Sequence, residues 1–207
     1  FVSRMNIDAK SKKTDSENAR IENLSLNGHA LSFECTETAL PYPVDCKSAL
    51  ALKMVPFTDD LNREMLTVTG LEAGKYKLSI DGTDVGRYDA KELSSGVNLA
   101  LNQKTPQYRQ ALAVSAINDK RSDKELGLRS VALFESDMKK AKVDLSNPGA
   151  VKKYMDGVNN WRRGIVPLYY ETKPKIEATV DEVRSLNSDM YAAAKPVRHS
   201  YLLTPGE

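Results

Sequence analysis

Two histidines, His29 and His199, are the candidates for the general base of a serine or cysteine hydrolase, which needs a nucleophile, a base and an orienting carboxylate. His29 directly follows the turn dipeptide Asn27-Gly28, so we expect it to be an exposed hairpin residue. His199 follows the last helical pattern, where it could cap a helix or pack against another domain. Neither histidine has an aspartate three residues before it. The sequence therefore assigns no catalytic role to either residue.

The short motifs that mark an active site are missing from the sequence. It contains no G-x-S-x-G elbow, no Gly-Asp-Ser, no Walker loop, no dinucleotide fingerprint, no HExxH and no paired-cysteine metal motif. An esterase built on His199 and Ser200 is disfavoured, because adjacent residues do not easily form nucleophile-to-base geometry and no orienting carboxylate is evident. The acidic pairs Asp59-Asp60 and Asp181-Glu182 are expected to be solvated. The residues alone predict neither a catalytic residue nor a metal site.

Length and charge argue against two classes of protein. The chain has 207 residues with 30 basic and 28 acidic side chains, which gives a net charge of +2. A charge so close to zero does not favour nucleic acid or an anionic membrane surface as a partner. No apolar run approaches the roughly 18 residues of a membrane-spanning helix. The first residue is Phe rather than Met, which suggests a fragment or a processed chain that could have lost an export signal.

The two cysteines, Cys35 and Cys46, flank a loop that contains Pro41 and Pro43. Their spacing fits neither a CxxC redox motif nor a zinc site. Two interpretations remain open: two buried free thiols, or a disulfide that closes the proline-rich loop and stabilises the fold by about 2–3 kcal/mol. We hypothesise the disulfide, and with it an exported, periplasmic or extracellular protein.

The stretch from Met65 to Asn102 is central to the predicted architecture. Apolar residues alternate with polar ones on both sides of a glycine, and Asp81-Gly82 supplies a tight hairpin turn. A further hairpin is predicted around Asn27-Gly28, because the residues on both sides of this dipeptide also alternate. These patterns predict an antiparallel, sandwich-like β-rich region over residues 1–88.

Beyond this region the apolar residues follow helical spacing. Thr105-Pro106, Asn147-Pro148 and Pro174 are start signals for three main helices. The polar patch over residues 118–124 either breaks the first helix or only exposes part of it. The sequence thus predicts an α+β fold in which a helical region over residues 89–207 follows the β-rich region. The apolar stripes of the helices are expected to pack against one another or against a neighbouring domain.

Several segments, in order, resemble the C-terminal portion of bacterial SGNH/GDSL-type hydrolases. The similarity covers nearly all of the chain, and it is carried by Pro41–Asp45, Val55–Asn62, Val68–Leu71, Gly74–Gly82, Asn98–Asn102, Thr105–Tyr108 and Lys195–Tyr201. The resemblance implies that the Gly-Asp-Ser nucleophile, the oxyanion hole and the Asp-x-x-His block lie upstream of Phe1, so no catalytic residue can be assigned within this chain. The two cysteines are not a general feature of that family.

The resemblance implies a function and a partner. The complete protein would be a serine ester hydrolase, an esterase that acts on an ester or carbohydrate ester without a metal or organic cofactor. This chain would be its accessory part, beside an upstream catalytic SGNH domain in the same or a separate chain. Trp161, Tyr169 and Tyr170 cluster near a helix end and are candidates for the substrate entrance. The alternative is that these aromatic residues fill a core.

A rival hypothesis comes from another class of protein. The chain would be a stand-alone, non-catalytic module that binds a carbohydrate or a protein through Tyr42, Tyr76 or Tyr88 of its β-rich region. The missing triad favours this hypothesis, whereas the order of the family-like segments, which belongs to a larger enzyme, disfavours it.

Overall fold

The computed structural model describes residues 2–44 and 48–206. Its fold is α+β, as the sequence predicts: two mainly antiparallel sheets, built largely from the N-terminal part of the chain, and a group of helices after them, with one more strand beyond the helices. Contacts divide the chain into two compact units. The β unit comprises the chain up to Ser115 together with the segment from Ala193 onward, and the helical unit comprises Ala116–Ala192. The sequence-based boundary between residues 88 and 89 stays a prediction.

Nine strands form the two sheets of the described residues. In chain order they are β1 Ser3–Asp8, β2 Lys13–Glu17, β3 Ala19–Asn27, β4 Ala30–Glu37, β5 Glu64–Thr69, β6 Lys75–Ile80, β7 Thr83–Asp89, β8 Val97–Asn98 and β9 Arg198–Pro205. One sheet has the order β2-β1-β5-β8, and the other has the order β3-β4-β9-β6-β7. In the first sheet β1 pairs with β5 in parallel, a pairing that the hairpin signals do not predict.

Strand β9 occupies the centre of the five-stranded sheet. It pairs antiparallel with β4 on one side, where Phe33 faces Tyr201, and with β6 on the other side, where Leu78 faces Leu203. Side chains on one face of β9 are buried in alternation with exposed ones on the other face. The sequence does not predict this strand, because its residues fall within the region over residues 89–207 that is predicted to be helical.

Two tight turns confirm the hairpin signals of the sequence. Gly28 lies between β3 and β4 with φ of 59°, and Asp81 and Gly82 connect β6 to β7 with φ of 49° and 75°. A residue other than glycine rarely adopts a positive φ, and Asp is one of the few that does. This turn places the Asp81 side chain beside the start of β9, since the Asp81 N–H donates to the carbonyl of Ser200 at 2.9 Å.

The two sheets share one apolar core. Strands β1, β4, β5, β6 and β9 each place alternate side chains in it. The largest fully buried members are Tyr201, Phe33, Met5, Ile7, Leu31, Leu66, Leu78 and Ile80. The rings of Phe33 and Tyr201 stack with their centroids 4.7 Å apart. Burying a polar side chain in such a core is costly unless it has a hydrogen-bond partner, which makes the buried polar residues described below informative.

Seven α-helices and two short 3-10 helices, Trp161–Ile165 and Lys173–Lys175, lie among the described residues. The α-helices are α1 Ala49–Met54, α2 Phe57–Asp60, α3 Ala90–Ser95, α4 Pro106–Lys140, α5 Pro148–Asp156, α6 Val166–Thr172 and α7 Ile176–Ala193. The polar patch over residues 118–124 does not interrupt α4. Helix α5 ends at Asp156, and Trp161 begins a short 3-10 helix beyond it. Among the described residues, no helix is both long and apolar enough to cross a membrane.

The helical unit has a core of its own. Val131, Phe134 and Met138 of α4 pack against Val151 and Met155 of α5, and Tyr169 of α6 joins them. Asn147 caps α5, because its side-chain oxygen accepts the N–H groups of Gly149 and Ala150.

Candidate functional site

The side chains most capable of acid–base chemistry lie where β9 meets the turn between β6 and β7. His199 is only 7% exposed, and its Nδ1 lies 2.6 Å from Oδ2 of Asp81. The other carboxylate oxygen of Asp81 accepts the backbone N–H of Ser200 at 2.8 Å. Asp81 therefore orients His199, although the sequence suggested no carboxylate for this histidine. Their separation along the chain hides the pair from any local motif.

A cysteine lies directly across the sheet from this histidine. Cys35 on β4 is the cross-strand partner of His199, and both side chains point into the core. Burial, with a smaller effect of the neighbouring carboxyls of Glu37 and Glu64, raises the pKa of the Cys35 thiol to about 12. The thiol is protonated at neutral pH, so it is a poor nucleophile. Ser200 is no substitute, because it points to the exposed face of β9, opposite to His199.

A buried hydrogen-bond network surrounds Glu37 at the end of β4. Ser3 donates its hydroxyl to one carboxyl oxygen. Gln107 donates from Nε2 to the other carboxyl oxygen of Glu37 at 2.6 Å, and to the hydroxyl of Tyr201 at 2.5 Å. The Tyr201 hydroxyl in turn donates to this second carboxyl oxygen of Glu37 at 3.3 Å. All four side chains are at most 5% exposed. The network ties β1, β4, β9 and the first turn of α4 together.

Glu64, at the start of β5, differs from the other buried polar residues of this cluster in its hydrogen bonding. It is fully buried, and neither of its carboxyl oxygens has a hydrogen-bond partner in the described structure. Burial raises the pKa of Glu64 well above its ordinary value, and the nearby charge of Glu37 raises it further. Burial also raises the pKa of Glu37, against the opposing effect of its hydrogen bonds. A neutral, protonated Glu64 is the form that such an environment tolerates.

The cluster does not form an open reaction site. Its members are buried, so a substrate has no direct access to them. Among residues 2–44 and 48–206, no group of three or more His, Cys, Asp or Glu side chains is arranged to hold a metal ion. The arrangement is therefore best suited to holding the sheets and α4 in register.

The contact between Asp81 and His199 is expected to stabilise the β unit. Asp81→Asn retains a residue that tolerates positive φ, but it removes the carboxylate, and we expect a loss of about 1 kcal/mol in the free energy of unfolding. Urea unfolding measures this loss. Asp84→Asn is the matched control, because Asp84 is similarly exposed, at 42% against 44%, and pairs only with Arg87 across 3.4 Å. Equal effects of the two substitutions would contradict a role for the histidine contact.

The structure separates the three aromatic candidates for a substrate entrance. Tyr169 is buried and packs edge-on against Phe134 and Tyr170, with centroids 6.0 and 5.4 Å away. Tyr170 is 46% exposed. Trp161 is 76% exposed, and the guanidinium of Arg162 lies over its ring at 5.5 Å from the centroid. Tyr169 is thus a core residue by burial, whereas Trp161 is available to a ligand; an entrance role for the three stays a prediction.

The two cysteines and the three tyrosines that the sequence analysis singles out differ in how exposed they are. Cys35 is a buried thiol, but Cys46 lies outside the described residues, so the disulfide stays a prediction. Tyr76 is buried and donates its hydroxyl to the carbonyl of Glu72, Tyr88 is half-buried, and Tyr42 is exposed. Tyr42 belongs to a set of exposed apolar side chains in one stretch of the chain, the others being Leu50, Met54, Val55 and Leu61.

Sequence reasoning missed the two buried glutamates, although a signal was present. In β4, Glu37 has the same alternation parity as Leu31, Phe33 and Cys35, and in β5, Glu64 has the parity of Leu66 and Val68. An acidic residue on the apolar face of a strand is a warning of a buried polar site. The identity of its partners depends on long-range pairing, which no local pattern reveals.

Comparisons with known proteins give one informative match. No family model and no curated protein matches the sequence. Among solved structures, the chain is similar to BT4096, described as a gut microbial diltiazem-metabolizing enzyme, at 33% sequence identity and a TM-score of 0.85. The match covers 99% of this chain and 50% of that protein. The chain therefore spans about half the length of the enzyme it resembles.

This match corrects the resemblance that the sequence suggested. The assignment to the C-terminal portion of an SGNH/GDSL-type hydrolase is wrong, because the structure that matches 99% of the chain is described as a diltiazem-metabolizing enzyme. No family model supports an SGNH/GDSL assignment either. The description of the protein as an SGNH/GDSL esterase is therefore also wrong. The expected α+β fold class is confirmed.

Proposed function

We propose that this chain is an accessory part of an enzyme that metabolises a small organic molecule. The observation that carries the proposal is the match to half of a diltiazem-metabolizing enzyme at 33% identity. Diltiazem is therefore the substrate to test first. The accessory role consists of scaffolding and of shaping the surface of the complete enzyme rather than of performing the bond-breaking step.

Two features of the β unit support an accessory role over a catalytic one. The Cys35 thiol beside His199 is protonated at neutral pH, since burial raises its pKa to about 12. The hydroxyl of Ser200 projects from the face of β9 opposite to His199, so the histidine cannot act as its base. The pair of His199 and Asp81 thus lacks an activated nucleophile next to it within the described residues.

A chimeric enzyme tests the proposal. The half of the diltiazem-metabolizing enzyme that matches this chain is replaced by the chain, and diltiazem turnover is followed by chromatography with mass detection. We expect turnover by the folded chimera and none by the chain alone. Turnover by the chain alone that is abolished in His199→Ala but kept in Ser200→Ala would contradict the proposal and place the reaction at His199.

A stand-alone binding module is the second candidate function. The exposed apolar side chains at Tyr42, Leu50, Met54, Val55 and Leu61 favour it, because large apolar groups that are exposed close together in a chain are typical of interaction surfaces. The same experiment separates the two candidates. A folded chimera without turnover, together with an inactive isolated chain, would favour the binding module.

A further inference from the structure

The helical unit contains a large cavity that the proposed function does not use. Its volume is about 670 Å³, which falls within the range of pockets for drug-sized molecules, roughly 300–1,000 Å³. Residues from the end of α4, from α5 and from the segment after α5 line it. Phe134, Val143, Ala150, Tyr154 and Val158 provide an apolar wall. The cavity is open to solvent, and its size is sufficient to hold a ring system or a short alkyl chain.

The charged side chains around the cavity differ in whether they are already paired. Arg162 forms an ion pair with Asp137. Asp144 accepts both the N–H and the hydroxyl of Ser146, at 2.9 and 2.7 Å. The pair of Arg162 and Asp137 is neutral, whereas the donors to Asp144 are uncharged, so the carboxylate of Asp144 keeps its negative charge.

Two lysines at the cavity remain without such partners. Lys142 and Lys153 both line it, and within the described part of the chain neither ammonium group has a hydrogen-bond or ion-pair partner. Lys152, the neighbour of Lys153, does not line the cavity and instead donates to Asp156 at 2.6 Å. The two adjacent lysines of α5 thus have different environments, one neutralised on the surface and one facing the cavity.

We propose that this cavity is a binding site for an organic anion, a molecule with an apolar ring or chain body and one carboxylate or sulfonate group. The apolar body contacts Phe134, Tyr154 and Val158, and the anionic group lies between the ammonium groups of Lys142 and Lys153. The preference for an anion follows from the charges of the lining, because the pair of Arg162 and Asp137 is neutral and the two ammonium groups then outnumber the single carboxylate of Asp144.

The single tryptophan of the protein provides a direct readout of binding. Trp161 lies between the cavity residues Asn160 and Arg162. Anilinonaphthalene sulfonate is a suitable probe, since it combines an aromatic body with a sulfonate and accepts excitation energy from tryptophan. We expect saturable binding of one probe per chain with energy transfer from Trp161, and competition by laurate, which carries a carboxylate on an alkyl chain.

Adjacent lysine variants locate the site. Lys153→Ala is expected to weaken probe binding about threefold to fivefold, the effect of one exposed ion pair, whereas Lys152→Ala removes the same charge and is expected to leave the affinity unchanged. Ala150→Leu fills part of the cavity and is expected to weaken binding further than either lysine variant. Both lysines are exposed, so neither variant is expected to affect folding.

The results that would overturn the proposal are distinct. Equal affinities in Lys153→Ala and Lys152→Ala, or tight binding that survives Ala150→Leu, would place the probe elsewhere on the surface. Stronger binding of a cationic dye of similar size than of the sulfonate would reverse the proposed ligand charge. Because the readout is binding and not turnover, the proposal is tested independently of the accessory role.

Discussion

Replacing Glu37 by methionine is expected to lower the free energy of unfolding by about 3 kcal/mol or more, because breaking a buried polar network leaves its donors without an acceptor. The groups that lose their acceptor are the hydroxyls of Ser3 and Tyr201 and the amide of Gln107, all of them at most 1% exposed. Water cannot replace the carboxyl in the closed core. Urea unfolding at constant pH measures the change.

The matched variant Glu64→Met is expected to have the opposite sign. The carboxyl of Glu64 is fully buried without a hydrogen-bond partner, so methionine of similar length removes a desolvation penalty, with a gain of roughly 1–3 kcal/mol. The two variants remove the same chemical group from one cluster and differ only in the partners it has. Destabilisation by both would show that Glu64 also makes a favourable interaction in the core.

The buried carboxyls of Glu37 and Glu64 make the free energy of unfolding depend on pH. The pKa of Glu64 lies well above its ordinary value of 4.5 in the folded state, and the pKa of Glu37 is also raised. The folded state therefore keeps protons that the unfolded state loses. The contribution to stability is complete below about pH 4.5 and falls as the pH rises toward the folded-state pKa values. Unfolding measured across this range is expected to depend less steeply on pH in Glu64→Met than in the unaltered protein.

Gly127→Ala is expected to destabilise the helical unit by about 1–3 kcal/mol, because it overpacks the contact between α4 and α6. A Cβ at this buried glycine would lie 2.4 Å from Oγ1 of Thr172. Alanine normally stabilises a helix by about 1 kcal/mol relative to glycine, so a loss here has the opposite sign to helix propensity. Gly164→Ala is the control, since nothing lies within 4 Å of its added Cβ.

A second substitution tests the cause of this effect. Thr172→Ala removes the hydroxyl that the new methyl group would overlap, and its own Cβ would lie 3.4 Å from the new carbon, which is close to an ordinary contact. We expect the double variant Gly127→Ala with Thr172→Ala to recover most of the stability lost in Gly127→Ala alone. Additive losses in the double variant, measured by thermal unfolding, would exclude overlap with Thr172 as the cause.

The elements that the sequence predicts correctly are those with local signals. Asn27-Gly28 and Asp81-Gly82 predict two hairpins, and each glycine has the positive φ that such turns require. Asn147-Pro148 likewise predicts the start of α5. These predictions succeed because the determining residues are neighbours in the chain.

The elements that escaped prediction depend on distant residues. Strand β9 alternates clearly, with His199, Tyr201 and Leu203 buried, but its partners β4 and β6 lie far upstream. The polar patch in α4 was ambiguous for a different reason. Arg121 pairs with Glu125 and also bonds Asn118 on the same helix, so side-chain pairs maintain a segment with little apolar surface.

In the candidate site, too, the sequence identifies single residues but not the contacts between residues that are distant in the chain. The sequence offers His199 as a possible base and Asp81 only as a turn residue, and the contact between them arises because β6 and β9 are neighbours in the sheet. Of the aromatic candidates, the exposure of Trp161 and the burial of Tyr169 follow from where α5 ends and where α6 packs. Spacing along one helix does not determine either feature.

The central position of β9 has a consequence for the folding pathway. Until this strand docks, β4 and β6 each have an unpaired edge, and an open strand edge is a template for association with other chains. The pairing of Leu31 with Leu203 spans nearly the whole chain, which gives the sheet a high contact order and slow closure. Closure of the five-stranded sheet therefore depends on β9, which lies far along the chain from both strands that it joins.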